Sequence, residues 1–256
     1  MKIVVVGGGV MGATLLAGFA RHGFDDVAVI EKLEDRAAQL RADGFTVVDD
    51  VTDADVVLLA VKPQDMTATI ESLEIPDGAL VISIAAGVTI ATFEKLLPNH
   101  AVIRSMPNTP AQVGLGVTAL SPGSNVDDES LELAKRLLGT VGEVVVVPEQ
   151  LQNAVTAVSG SGPAYLFYLA EGMLAGALAE GLAPDVAETL VRQTLLGAST
   201  LLAQSEVDAA ELRRRVSSPN GTTVAAIGAF DDRDMKAAIE AGVAAAAQRG
   251  KELSGG

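Results

Sequence analysis

The run Gly7-Gly8-Gly9-Val10-Met11-Gly12 stands directly between a short apolar stretch, Ile3 to Val6, and a helical stretch from Met11 to Arg21. No other feature restricts the N-terminal half so strongly. In a GxGxxG spacing placed between strand and helix, Gly7 permits the tight turn and Gly9 lets backbone approach a pyrophosphate. Gly12 allows the helix to pack closely on the strand. Backbone amides at the helix start, around Val10 and Met11, then face the phosphates. The plainer alternative is that the glycines serve only a tight βα turn. Glu31 closes the next β-rich run, 19 residues after Gly12. There an acidic side chain accepts hydrogen bonds from an adenosine ribose and disfavours a 2′-phosphate. Lys32 and Arg36 follow at once and are able to reach such a phosphate, so the cofactor is NADPH or NADH, with a lean to NADH.

From Met1 to about Val147, β-rich runs alternate with helical stretches, which predicts a parallel sheet covered by helices on both faces. Strands are expected at Ile3 to Val6, Val27 to Glu31, Phe45 to Val48, Val56 to Ala60, Leu80 to Ser83 and Ala101 to Arg104. A further pair, Val113 to Leu120 and Glu143 to Val147, flanks a helix from Asp127 to Leu138. With right-handed crossovers, residues 1–148 form a doubly wound, Rossmann-type α/β domain.

Past Pro148 the β-branched runs give way to alanine- and leucine-rich segments, so residues 149–256 are read as an all-helical domain. Helices are expected at Glu149 to Val158, Pro163 to Glu180, Pro184 to Gln204, Ala209 to Val216, Thr222 to Phe230 and Asp232 to Gln248. The chain end from Leu253 to Gly256 is expected to fray. Tyr165 to Leu182 has hardly a polar face, which suggests burial against a second copy; a central core helix within one subunit is the alternative.

Composition narrows the chemistry. The absence of cysteine excludes disulfides, iron–sulfur clusters and thiolate nucleophiles, and two histidines without a carboxylate cluster predict no metal site. A formal net charge of −15 and 3% aromatic content oppose nucleic-acid and anionic-membrane partners, leaving small molecules. Local amides at the glycine loop still bind an anion, because distant surface charge is screened within about 10 Å at 0.1 M salt. The short apolar start resembles neither a signal peptide nor a membrane span, so a cytoplasmic protein is expected. Excess carboxylates with only seven lysines also resemble the surfaces of proteins from salt-loving organisms.

Three further segments follow buried strands, at the carboxyl ends where such sheets bind ligands. They are Ala60-Val61-Lys62-Pro63-Gln64, Ala85-Ala86-Gly87-Val88 and Met106-Pro107-Asn108-Thr109-Pro110. Later come Ser159-Gly160-Ser161-Gly162-Pro163-Ala164-Tyr165 and Ser217-Ser218-Pro219-Asn220-Gly221-Thr222-Thr223, each at a helix start. Together, in this order and along essentially the whole chain, they resemble the pyrroline-5-carboxylate reductases. The resemblance implies NAD(P)H-dependent reduction of the C=N bond of 1-pyrroline-5-carboxylate to L-proline. It also implies a homodimer through the helical domain, and larger rings of dimers occur in the family. Asn220 departs from the family's usual PGGTT; asparagine is the non-glycine residue most tolerant of positive φ.

Under this resemblance Ala60, Val61, Lys62, Pro63, Ala85, Ala86 and Gly87 line the cofactor, and Asn108 contacts its nicotinamide ribose or carboxamide. Asn108 as a plain loop cap is the alternative. Backbone amides of Asn220, Gly221 and Thr222 receive the substrate carboxylate, and the Thr223 hydroxyl reaches the ring nitrogen as the catalytic candidate. Ser217, Ser218 or Asn220 acting as an ordinary helix cap is the competing reading. Ser161 and Gly162 shape the pocket or the dimer seam, against a capping role for Pro163 at a first helical position. Glu206 matches a family glutamate near the substrate, although a solvated helix end explains it equally. Arg213 to Arg215 reads as a surface cluster paired with Glu211, and His22 as a helix-end cap.

Two other readings remain open. A β-hydroxyacid reductase of the same plan relies on a lysine in the helical domain, and none occurs between Leu151 and Phe230; a related cyclic imine is the nearer rival. A non-catalytic dimeric NAD(P) sensor would keep the glycine loop without needing the Gly221-Thr222-Thr223 turn.

Overall fold

The computed structural model describes residues 1–254. Its N-terminal part is built on one eight-stranded sheet. In chain order the strands are β1 (Ile3–Val6), β2 (Val27–Ile30), β3 (Thr46–Val47), β4 (Val56–Leu59), β5 (Leu80–Ser83), β6 (Val102–Met106), β7 (Gly116–Pro122) and β8 (Gly142–Val146). They lie side by side as β3-β2-β1-β4-β5-β6-β7-β8. Helices α1 (Val10–Arg21), α2 (Glu34–Ala42), α3 (Met66–Glu71), α4 (Ile90–Leu96) and α5 (Asp128–Leu138) form the connections.

Strands covered on both faces must be apolar at every position, which is why β1 and β4 read as unbroken runs. Ile3, Val5, Val29, Leu58, Ile82 and Ile103 enter one buried cluster with Leu15, Leu16 and Phe19 of α1. Val4, Val6, Val57, Leu59, Val81 and Val102 enter the other, with Met66 and Phe93. In register, Ile3 stands opposite Val27 on one side and Val56 on the other. Strand order therefore reverses at β1, and a crevice opens at the strand ends on either side of the glycine loop.

The sheet is not parallel throughout. β7 runs antiparallel to β6, pairing Met106 with Ala119, while β8 returns parallel to β7. Residues 107–115 form only a 3-10 turn, Thr109–Val113, ended by Gly114 at φ 74°. Such a link is shorter than the dozen or more residues a parallel crossover requires.

Beyond the sheet come α6 (Gln152–Val155), α7 (Gly162–Ala179), α8 (Pro184–Gln204), α9 (Ala209–Arg215), α10 (Thr222–Asp231) and α11 (Met235–Leu253). By packing, one compact unit comprises Met1–Pro163 and the chain from Ala245 onward, and the other Ala164–Ala244. The first unit thus extends past Pro148. Glu149 Oε1 accepts from Ile90 N at 2.7 Å and from Arg104 Nη1 at 2.9 Å. Gln152 Nε2 donates to Ser121 Oγ at 2.8 Å, and Ser254 Oγ to Asn153 Oδ1 at 3.4 Å.

The helix expected over Glu149 to Val158 is divided into a 3-10 turn at Glu149–Leu151, α6, and a π turn at Thr156–Gly160. The last helix starts later and ends later than its sequence pattern, because Asp234 at φ 51° separates α10 from α11. Ser254, expected to fray, donates from Oγ to Gly250 O at 2.8 Å; Gly255 and Gly256 lie outside the described residues.

In the second unit no residue of α7 is buried by its own chain. Phe167 is 62% exposed and Tyr168 78%. That overturns the reading of α7 as a central core helix within one subunit, since such a helix would bury its apolar side chains. Leu166, Phe167, Leu174, Val191 and Leu195 instead line a groove between α7 and α8. Among the described residues, no helix is long and apolar enough to cross a membrane.

Candidate active site

One cluster of candidate residues is the glycine loop. Gly7 adopts φ 107°, and a Cβ there would stand 2.8 Å from Ala60 O. A Cβ on Gly12 would fall on the carbonyl oxygen of Gly7, while one on Gly9 would meet no protein atom within 4 Å. Gly7 and Gly12 are thus required by the fold, and Gly9 leaves an open cradle at the start of α1. Gly9 is the N-cap of that helix and no side chain caps it. An uncapped helix start carries roughly half a positive charge, which suits a diphosphate. The residues present fit a dinucleotide.

Glu31, just past β2, is held rather than loose. Its Oε2 accepts from Gly8 N at 3.0 Å and its Oε1 from Leu33 N at 2.9 Å. Arg36 Nε donates to Gly8 O at 2.7 Å, whereas Lys32 is exposed. Two backbone amides thus fix the orientation of this carboxylate just past the end of β2.

Ala60, Val61, Lys62 and Pro63 follow β4, which lies beside β1, and Ala85, Ala86 and Gly87 follow β5, the next strand out, so both segments stand at strand ends on the same side of β1. Gly87 takes φ 81°, and a Cβ there would meet Leu253 O of α11 at 3.4 Å. The Glu149 carboxylate fixes the far end of this second loop through Ile90 N, and it is paired with Arg104, whose side chain is only 7% exposed. Sequence reasoning missed this pair. The available signal was an arginine inside the apolar run of β6.

Asn108, third of these segments, is buried at 9% exposure. Its Oδ1 accepts from Val117 N at 2.9 Å and its Nδ2 donates to Ser159 O at 3.2 Å. Asn108 occupies the N-cap position of Thr109–Val113 without a capping bond to that turn, and its side chain instead holds the loop closed at Val117. Ser161 and Gly162 follow the π turn, with Pro163 second in α7.

In the second unit, Asn220 adopts φ 60° and Gly221 is the N-cap of α10, again without a side-chain cap. Ser217 Oγ donates to Arg213 O instead, and the Ser218 carbonyl accepts from Gly221 N at 3.0 Å. A Cβ on Gly221 would stand 2.6 Å from Ser218 Oγ, which explains the glycine. The ordinary-cap reading therefore fails: the first amides of α10, those of Thr222 and Thr223, have no side-chain acceptor. Thr223 is half-buried, and its hydroxyl has no hydrogen-bond partner among the described residues.

Glu206 is exposed between α8 and α9. Arg214 and Arg215 both pair with Glu211, at 2.7 and 2.9 Å, and hold its carboxyl down to about 2. His22 Nδ1 donates to Gly18 O at 2.9 Å at the end of α1. Neither feature offers a catalytic group.

Residues 149–253 match the family described as pyrroline-5-carboxylate reductase dimerisation, and residues 2–87 the one described as NADP oxidoreductase, coenzyme F420-dependent. A pyrroline-5-carboxylate reductase of Pseudomonas aeruginosa is 40% identical over 99% of this chain and 97% of its own. One from Methanosarcina acetivorans is 38% identical, over 98% and 97% respectively. The structure of a pyrroline-5-carboxylate reductase from Coxiella burnetii superposes with a TM-score of 0.91 at 34% identity, covering 99% of this chain and 98% of that one.

Proposed function

This chain belongs to the pyrroline-5-carboxylate reductase family, and from that membership we propose how its residues divide the work of reducing 1-pyrroline-5-carboxylate to L-proline with NADPH or NADH. The observation that carries the assignment of substrate residues is the uncapped start of α10 at Gly221, behind Asn220 at φ 60°. Amides of Thr222 and Thr223 receive the substrate carboxylate, a task that consecutive N–H groups at a helix start perform without an arginine. The Thr223 hydroxyl orients the ring nitrogen, and solvent delivers its proton. Ser161 and Glu206 are further substrate-binding candidates.

A bound reduced nicotinamide supplies the hydride for the C=N carbon. The chain's part is to hold the diphosphate at Gly9 to Met11, the ribose at Glu31, and the remaining rim at Ala60 to Pro63 and Ala85 to Gly87. Fixed negative charge at Glu31 favours NADH, because a 2′-phosphate would stand against a carboxylate that two amides prevent from turning away. Glu31→Gln keeps an acceptor for one of those amides and removes the charge. It is expected to shift the ratio of kcat/KM for NADH over NADPH at least about tenfold towards NADPH, the scale of one lost charge contact. An unchanged ratio in paired steady-state assays removes Glu31 from cofactor choice.

The protein acts as a homodimer through residues 149–253, with α7 supplying apolar surface, and dimers join into larger rings. The reaction takes place in the cytoplasm. The acidic surface is read as an adaptation to salt. Cofactor oxidation on adding racemic 1-pyrroline-5-carboxylate tests the activity, with turnover rising as KCl approaches molar levels. Cofactor binding without turnover at any salt concentration would favour the sensor, and activity falling or flat with KCl would end the salt reading.

A further inference from the structure

The carboxamide of Asn108 is already committed at both ends, to Val117 N and to Ser159 O. The second partner has a reason to be there. In an α-helix the carbonyl of Ser159 would accept from the amide of residue 163. Residue 163 is proline and has no N–H. The chain responds with a π turn over Thr156–Gly160, in which Ser161 N reaches back to Thr156 O at 2.8 Å. Ser159 O is met from outside the helix by Asn108 Nδ2. Such turns are uncommon and occur mostly where a helix must be re-aimed at a functional site. The same turn is pressed from the sheet side by Met106, whose Cε would stand 3.1 Å from a Cβ on Gly160.

We infer that Asn108 is a positioning residue that acts through the π turn: its carboxamide replaces the amide that Pro163 lacks, and so fixes where Ser161 and Gly162 stand for the substrate. All of these groups lie within the first compact unit. At 9% exposure and with both ends engaged, Asn108 is poorly disposed to serve as a ligand of the nicotinamide. The inference rests on the reductase reading, under which Ser161 faces substrate. That reading is tested by turnover of the unaltered protein, so the two can fail separately.

Asn108→Asp keeps the acceptor for Val117 N and replaces the donor to Ser159 O with a second oxygen. Calorimetric titration is expected to give a cofactor Kd within about twofold of the parent. The KM for 1-pyrroline-5-carboxylate should rise and kcat should fall, with kcat/KM down about tenfold or more, the scale of leaving one buried carbonyl without its donor. Restoring an amide at position 163 supplies the missing donor, so Asn108→Asp combined with Pro163→Ala should recover part of that loss. A cofactor Kd raised tenfold with unchanged substrate constants would make Asn108 a cofactor ligand and overturn the inference. Unchanged constants throughout, or no recovery in the double variant, would overturn it as well. Should Asn108→Asp fail to fold, Gly160→Ala displaces the same turn with Asn108 intact and must show the same split between substrate and cofactor constants.

Discussion

Thr223→Ala is expected to lower kcat/KM for 1-pyrroline-5-carboxylate by roughly 10²-fold, about 2.7 kcal/mol of transition-state stabilisation. Thr223 is the second residue of α10, half-buried, with its hydroxyl uncommitted among the described residues. The substitution leaves the amides of Thr222 and Thr223 in place, because alanine is the best helix former and disturbs no cap. Carboxylate binding should therefore survive, and most of the loss should appear in kcat. Thr223→Ser retains a hydroxyl and should stay within about tenfold of the parent, the freedom of an unbranched χ1 accounting for the difference. Steady-state kinetics on the three proteins decide the matter: an alanine variant as active as the parent removes Thr223 from the mechanism.

The second large effect separates two glycines that a motif treats alike. A methyl on Gly9 meets no protein atom, and its backbone, at φ −61° and ψ −175°, suits any residue. Gly9→Ala should leave the thermal midpoint within about 2 °C of the parent, since it falls under none of the mechanisms of large destabilisation. Yet it should raise the cofactor Kd by about 10²-fold, because the methyl occupies the space where the diphosphate approaches backbone. Gly12→Ala should lose both. Its methyl would fall on Gly7 O, so α1 must move from β1 and the protein unfolds at lower temperature. Calorimetry combined with thermal unfolding tests the contrast. A Gly9→Ala protein with unchanged cofactor affinity would show that the loop is only a turn, and a stable Gly12→Ala protein would contradict the close packing of α1 on β1.

Much of this arrangement was legible in residues 1–120 because its strands are buried on both faces and announce themselves as unbroken apolar runs. β1 and β5 match their expected bounds, and α5 begins one residue after its expected start, with Asp127 as a capping residue that accepts from Ser130 N at 2.8 Å. Asn220 was recognisable as a positive-φ position because it stands where the resembled family carries glycine, and it lies at 60°. The reversal at β7 was not, since connection length is visible only once the strand ends are known. Nor was the pairing of Arg104 with Glu149, or of Asn108 with Ser159. Each joins residues some fifty positions apart, and local periodicity carries no information about which distant carbonyl lacks a donor. Pro163 held the clue. A proline four residues after Ser159 marks an orphaned carbonyl, though not the side chain that will answer it.

The exposure of α7 has a consequence for how the molecule persists at all. A helix whose Phe167 and Tyr168 remain 62% and 78% open within their own chain must draw the rest of its apolar burial from a second copy. The free energy that holds it is therefore a joint property of two chains and depends on how many copies are present. For this half of the protein, abundance and foldedness are one variable: a cell that makes too little makes a weaker molecule, and not merely less of it.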